Sequence, residues 1–324
     1  MNFLKAKILV ATLLTTLLVS CNSTGNQTGT EDTPDSTKIS LQDTLHYRND
    51  SLVMQRYEEA RQQQSVNTHQ GRKCIYLTFD DGPSDVTPKI LDILKNDSVH
   101  ATFFVTGHHT KYLDNIRRAY NEGNAIGAHT YSHKYSIYKD FEAYFDDLEK
   151  IQEVIKQYTG SRTNIIRFPG GSSNTAYYKY NGDSLFMVRL SQCVRDHGYQ
   201  YFDWNLASGD ATGRHVATSK LIRLSCNAKK DEICLLMHDT FGKETTADAL
   251  PSIIKFFKQQ GYEFKTLTDT TYICHHPITP FHGKKAAQRK SPTDSIKHKP
   301  AKHQHKHHHH HQQHQQQAED EQPA

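Results

Sequence analysis

The chain has 324 residues, 35% of them hydrophobic, a formal net charge of +4 and a mean hydropathy of −0.75. Its length fits one large domain or two small ones, and its polarity implies long solvated ends around one compact middle. So small a charge imbalance gives no case for nucleic-acid binding through a basic surface.

Residues 1–20 place Lys5 and Lys7 before an apolar run from Ile8 to Val19. These are the charged and apolar regions of a signal peptide, and the run is too short to span a bilayer comfortably. Leu18-Val19-Ser20-Cys21 resembles the bacterial lipobox. In that motif the Cys is lipid-modified and becomes the first mature residue; an ordinary secretory cut beside an incidental Cys is the alternative. Lipidation of Cys21 anchors the exported protein to a membrane by acyl chains, on the periplasmic or outer cell-surface side. Residues 21–71 read as a tether. Its first part is Ser, Thr, Asn, Gly, Asp and Pro, and Leu41 to Gln64 forms either a helix or more tether. Past Cys21, the cysteines are Cys74, Cys193, Cys226, Cys234 and Cys274, with no C-x-x-C pair. That spacing argues against a zinc ribbon, and the odd number leaves at least one thiol free.

Residues 72–270 alternate strand-like and helix-like segments. Strands are expected at Ile75 to Asp80, Ala101 to Val105, Ala125 to His129, Ile165 to Phe168, Tyr201 to Asn205, Ile233 to Met237 and Tyr262 to Thr266. Helices are expected at Val86 to Lys95, Tyr112 to Asn121, Phe141 to Tyr158, Leu185 to Asp196, Thr218 to Asn227 and Ala247 to Gln260. About seven βα units imply an α/β fold with a parallel sheet, most simply a closed barrel one unit short of the usual eight. Residues 271–324 are rich in Lys, Pro, His and Gln, with His307 to His311 unbroken, and read as a disordered tail. Its imidazoles bind Zn, Ni or Cu loosely, with or without a biological purpose.

The chemistry-bearing residues fall after the strands. Thr78-Phe79-Asp80-Asp81-Gly82-Pro83 ends the first one. Adjacent carboxylates are costly unless they share a cation or one stays protonated, which suggests a metal ligand beside a spare base. A helix N-cap is the bland alternative. His129-Thr130-Tyr131-Ser132-His133 sets two His four apart; on a helical turn both face one metal. Thr130 stands where a zinc protease has its Glu, so a base must come from elsewhere. Arg167-Phe168-Pro169-Gly170-Gly171 offers a partner for a carboxylate and a backbone that approaches substrate closely, or simply a tight turn. Leu236-Met237-His238 ends another strand, and Asp210 lies in the loop after the preceding one, where it could orient that His.

Taken together and in this order, these motifs resemble the polysaccharide deacetylase family, the NodB-homology carbohydrate esterases. The resemblance spans about Cys74 to Leu267. It implies a distorted seven-stranded (β/α) barrel and metal-dependent removal of N-acetyl, sometimes O-acetyl, groups from glycans. It casts Asp80 as base, Asp81, His129 and His133 as metal ligands, and Arg167 as the partner orienting Asp80. Gly170 takes the position whose N–H helps form the oxyanion hole, and Leu236 the position lining the acetyl pocket. His238 becomes the general acid, tuned by Asp210; Asp203 competes with Asp210 for that place. The metal is a divalent ion, Zn2+ first, with Co2+ or Ni2+ as alternatives. Peptidoglycan is the first substrate choice, because a lipid tether holds the domain near the wall. Poly-N-acetylglucosamine, chitin oligomers and acetylated xylan are alternatives. A glycan-binding protein without turnover, or a lipoprotein whose business is metal capture by His303 to His314, are the competing classes. Two departures bear on substrate preference. Many members have Arg-Pro-Pro-Tyr where this chain has Arg167-Phe168-Pro169-Gly170, and a Trp where it has Ala211. Both remove aromatic groove walls.

Overall fold

The computed structural model describes residues 47–64, 72–271 and 273–281. The signal-like segment, Cys21 and the His-rich run lie outside the described residues. No helix among the described residues is long and apolar enough to cross a membrane.

The strand β1 (Cys74–Asp80) is buried along its whole length and lies within the sheet. On one side it pairs in parallel with β7 (Glu232–His238), residue for residue from Cys74↔Glu232 to Asp80↔His238. On the other it meets β8 (Glu263–Phe264) at its start and β2 (Thr102–Val105) at its end. Beyond β2 follow β3 (Ala125–Ala128), β4 (Ile165–Ile166) and β5 (Gln200–Tyr201); beyond β7 lies β6 (Leu206–Ala207). All pairs are parallel. Seven strands thus follow one curled path, the distorted barrel expected, but its end strands β5 and β6 are not paired and leave a seam.

Helices cover the outer face: α2 (Thr87–Asn96), α3 (Asp114–Asn121), α4 (Phe141–Thr159), α5 (Phe186–Asp196), α6 (Thr218–Ser225) and α7 (Glu244–Gln259). Alternation along β1 sorts its side chains between two cores. Ile75, Leu77 and Phe79 join the large core that the helices cover. Cys74 and Tyr76 join a small inner core with Phe104, Ile165, Phe202, Cys234, Leu267 and Cys274. By the same period Thr78 and Asp80 belong to the inner face, which brings a carboxylate to the mouth of the barrel.

Three expectations need correction. The strand expected over Tyr201 to Asn205 breaks after Tyr201, and a separate strand forms at Leu206–Ala207. The backbone between is engaged elsewhere: Arg167 takes the carbonyls of Phe202 and Asp203, and Asp203 N–H donates to Cys274 O. The Asn205 side chain replaces a ladder rung by bonding Glu232 O and Cys234 N–H. Second, the fold begins before residue 72. Of the two readings left open for Leu41 to Gln64 the helix is the one observed: α1 (Asp50–Gln64) buries Val53 and Tyr57, while Tyr47 O–H donates to Asp196 at 2.5 Å. Third, residues 273–281 of the polar tail pack onto the domain, with Cys274 and Ile278 buried. The five cysteines from Cys74 to Cys274 are free thiols.

Candidate active site

The mouth of the barrel is built where β1, β3, β4 and β7 end. Asp81 leaves β1 with φ 70°, a left-handed conformation that Asp tolerates better than most residues. Its carboxylate turns to meet two imidazoles. His129 follows β3, with its N–H on Val105 O, and is almost fully buried. No helical turn joins it to His133: residues 129–133 form a bend with Thr130 at φ 63° and His133 at φ 55°. That bend brings the rings within 4.9 Å. Asp147 of α4 holds it by accepting the N–H and the hydroxyl of Ser132 at 2.9 and 3.0 Å.

His129 Nδ1 donates to the Arg167 carbonyl at 2.7 Å, so in the neutral ring Nε2 bears the lone pair. That Nε2 lies 3.3 Å from Asp81 Oδ1, and His133 Nε2 lies 3.1 Å from the same oxygen. Asp81 Oδ1 is a buried atom with no hydrogen-bond partner. An acceptor facing two imidazole nitrogens is costly unless a cation joins them. Burial raises the Asp81 carboxyl, but the facing imidazoles outweigh it and hold the group well below the usual carboxylate range. One ligand atom from each of Asp81, His129 and His133 lies within 4.8 Å of the others. The donor set, one carboxylate oxygen and two nitrogens, fits a divalent ion with coordination positions to spare.

Asp80 is buried beside this cluster and faces a different partner. Arg167 Nη1 donates to Asp80 Oδ1 at 2.7 Å and to Thr78 Oγ1 at 2.8 Å. The fully buried guanidinium also donates to Phe202 O and Asp203 O and lies 4.1 Å from the centre of the Phe104 ring. With its donors committed and a ring beneath it, Arg167 holds Asp80 in one orientation. Oδ2 is turned toward His129 Nε2, 3.8 Å away.

His238 sits across the β1–β7 register from Asp80. Its Nδ1–H donates to Asp210 Oδ1 at 2.8 Å, and its backbone N–H donates to Asp210 Oδ2 at 2.8 Å. Thr246 O–H adds a third bond to that carboxylate. Burial lowers His238, but the Asp210 charge prevails and raises it to about 9. The reciprocal effect outweighs burial at Asp210 and lowers its carboxyl. Asp203, the competing partner, is occupied elsewhere, by Ser172 and His276.

Gly170 follows Arg167 in the turn after β4, at φ 75°. Gly171 N–H is taken by Phe168 O at 2.7 Å, whereas Gly170 N–H has no partner among the described residues. A Cβ on Gly170 would lie 2.7 Å from Tyr135 Oη, so the Tyr135 ring stands where a side chain at 170 would project. An aromatic ring from another segment, Tyr135 at the start of the short helix Tyr135–Lys139, thus fills that space. Leu236 lies on β7 two residues before His238, on the same strand face, and is 7% exposed.

Sequence reasoning passed over Asp239. It is 1% exposed, accepts from Thr87 Oγ1 at 2.6 Å on Oδ2, and leaves Oδ1 without a partner. Burial pushes its carboxyl up to about 7. Both its oxygens lie against Gly82, where a Cβ would stand 2.2 Å from each. A Gly after the paired Asp is therefore a packing requirement. The available signal was a carboxylate next to His238 at a strand end.

Comparison with known proteins agrees with this constellation. A sequence profile described as polysaccharide deacetylase matches residues 67–184. A peptidoglycan-N-acetylglucosamine deacetylase of Bacillus cereus is 30% identical over 226 residues, covering 65% of this chain and 74% of that protein. The peptidoglycan-N-acetylmuramic acid deacetylase PdaA of Bacillus subtilis is 33% identical over 208 residues, covering 62% and 72%. The crystal structure of the catalytic domain of a Eubacterium rectale peptidoglycan N-acetylglucosamine deacetylase superposes with a TM-score of 0.62 at 39% identity, covering 65% of this chain and 96% of that one. With the curled parallel sheet and the carboxylate and imidazole groups at its mouth, these similarities place the chain in the polysaccharide deacetylase family.

Proposed function

We propose that this protein is a metal-dependent hydrolase that removes N-acetyl groups from an amino-sugar polymer, peptidoglycan foremost. The observation that carries the reading is the orphaned Asp81 Oδ1 facing His129 and His133, with Asp80 on Arg167 to one side and His238 on Asp210 to the other. Peptidoglycan is favoured because both curated relatives and the solved homologue compared above are named for it.

Asp81, His129 and His133 would hold the ion, Zn2+ by preference, with Co2+ or Ni2+ able to replace it. When bound, a divalent ion supplies a Lewis acid for the acetyl carbonyl and acidifies a water molecule. Asp80 takes the proton of that attacking water on Oδ2 while Arg167 holds Oδ1. Gly170 N–H donates to the oxygen that becomes negative as the carbonyl carbon turns tetrahedral. The C–N bond breaks only if the amine leaves protonated, and His238 gives its Nε2 proton to that nitrogen. Asp210 keeps the imidazole charged until then. The carboxyl product ionises to acetate and leaves with the free amine; Asp80 gives its proton up and His238 takes one back from solvent, so both groups return to their starting states. Leu236 lines the pocket for the acetyl methyl group.

The signal-like run and the sequence around Cys21 support export and lipid anchoring near the wall. Mass analysis of the mature N-terminus checks this: diacylglycerol on Cys21 is expected, and an unmodified Cys21 or a different mature end contradicts it. The activity is tested by acetate release from a panel of N- and O-acetylated glycans, with and without chelator. Release from N-acetylated peptidoglycan that chelator abolishes is expected. No release from any glycan by metal-loaded protein refutes the enzyme reading, and release from O-acetylated xylan alone refutes the substrate.

A further inference from the structure

The loop that carries Gly170 is tied to a segment about a hundred residues further along the chain. Asp203, fully buried, receives three hydrogen bonds on its carboxylate. Ser172 N–H donates to Oδ1 at 2.8 Å, Ser172 O–H to Oδ2 at 2.5 Å, and His276 N–H to Oδ2 at 2.8 Å. Its backbone works the same way. Asp203 N–H donates to Cys274 O, and Asp203 O accepts from Arg167 Nη2. The His276 ring bonds Trp204 O at 2.8 Å and Ser173 Oγ at 3.1 Å. The Trp204 ring in turn backs onto Gly171, where a Cβ would lie 2.9 Å from Cη2.

The strap 273–281 is itself well anchored. His275 stacks on Tyr201 at 3.6 Å and bonds its carbonyl. Ile278 N–H donates to Tyr57 Oη, and Phe281 N–H to Ser184 O. The strap lies along residues 201–204, where the chain leaves β5 for β6, through bonds to Tyr201 O, Asp203 and Trp204 O.

We infer that Asp203 is a positioning residue for the reaction, and that through it the strap 273–281 fixes the loop bearing the Gly170 N–H. The inference rests on the reading of that N–H as the oxyanion donor. Only a carboxylate serves at position 203. Two backbone N–H groups arrive on two different oxygens, and neither can act as an acceptor. An Asn of the same shape must turn its NH2 toward one of them, and the burial of Asp203 excludes water as a substitute. Ser172 is two residues from Gly170, so a loosened Ser172 displaces the donor directly.

The test uses the full chain, metal-loaded, as wild type, Asp203→Asn, Ser172→Ala and Leu94→Ala. Leu94, buried on α2, is a stability control remote from the loop. Amide hydrogen exchange is read for peptides covering 168–176 and 273–281, and acetate release for kcat and KM. In Asp203→Asn both peptides should exchange faster together, by about tenfold, while β1 peptides keep wild-type protection. Its kcat should fall about tenfold, part of the ~10²–10³ that losing an oxyanion donor costs, with KM within about twofold. Ser172→Ala should move both peptides in the same direction by about threefold, which keeps the test open if Asp203→Asn folds poorly. Leu94→Ala should lower the Tm without changing either peptide or kcat. Wild-type exchange in either peptide of both loop variants overturns the inference, as does a kcat loss no greater than that of Leu94→Ala. A wild type that releases no acetate refutes the enzyme reading by itself, and the exchange comparison still decides the coupling.

Discussion

Asp80 and Asp81 are sequence neighbours with opposite surroundings, and the proposed mechanism rests their separate tasks on that difference. Asp80 continues the inner face of β1 and meets a buried guanidinium; Asp81, at φ 70°, leaves the strand and meets two imidazoles. Asp80→Asn should bind as much metal as wild type by elemental analysis yet lose ~10²–10⁴ in acetate release, the usual contribution of a general base. Full activity in that variant refutes the assignment. In the proposed mechanism the alkaline limit belongs to the pair of His238 and Asp210. His238, raised to about 9, stays protonated below that pH and loses its proton as pH rises through it. Asp210→Asn removes the charge that raises it, so the pKa falls toward the ordinary imidazole value of about 6.5. The descending limb of the pH–rate profile should move to lower pH by one to two units, roughly 1.4 kcal/mol per unit. An unmoved limb means that His238 is not the acid. Gly82→Ala, whose methyl would meet the Asp239 carboxylate at 2.2 Å, should lower stability by about 1–3 kcal/mol, read as a fall in Tm. An unchanged Tm would show that this contact yields without cost.

At the level of elements, legibility followed how far the backbone pairs with other strands. The strands β1, β3 and β7 were readable because each is a run of mostly buried residues paired along its length, and the candidate site residues stand at their ends or just beyond. The break after Tyr201 was hidden because its hydrogen-bond partners, Arg167 and Cys274, lie far away in sequence. The pair His129 and His133 was found by spacing, but the turn that unites them is a bend with two left-handed residues. A helical period cannot report such a bend, and its brace, Asp147, lies on another element. Helix α1 was ambiguous because it is mostly polar; the few residues that dock it, among them Val53 and Tyr57, are sparse in a charged background. One of its ties to the strap is the hydrogen bond from Ile278 N–H to Tyr57 Oη at 2.6 Å. Tyr57→Phe leaves that donor unsatisfied in a buried place and should cost about 1–3 kcal/mol. For a domain of this size that is about 2–4 °C in Tm per kcal/mol, measurable by calorimetry. No change would show that water reaches Ile278.

On the scale of the whole molecule, composition pointed to a compact middle, and described residues on both sides of 72–270 pack onto it. Tyr47 and Phe281 dock onto Asp196 and Tyr178, and isolated aromatic residues in polar sequence leave no periodic signal of such docking. The site was legible as a set of residue types at strand ends, and family resemblance assigned their roles. The carboxyl–glycine packing of Asp239 on Gly82 and the bridging by Asp203 required coordinates. The central claim is that an ion held by Asp81, His129 and His133 is required for acetate release. Its most direct test is a zinc titration of metal-stripped protein, following acetate release from N-acetylated peptidoglycan, with His129→Ala alongside because it retains the His-rich tail. The account predicts no release without metal, activity rising to saturation in wild type, and none in His129→Ala at any occupancy of the tail. Wild-type rates in stripped protein, or in His129→Ala, would contradict it.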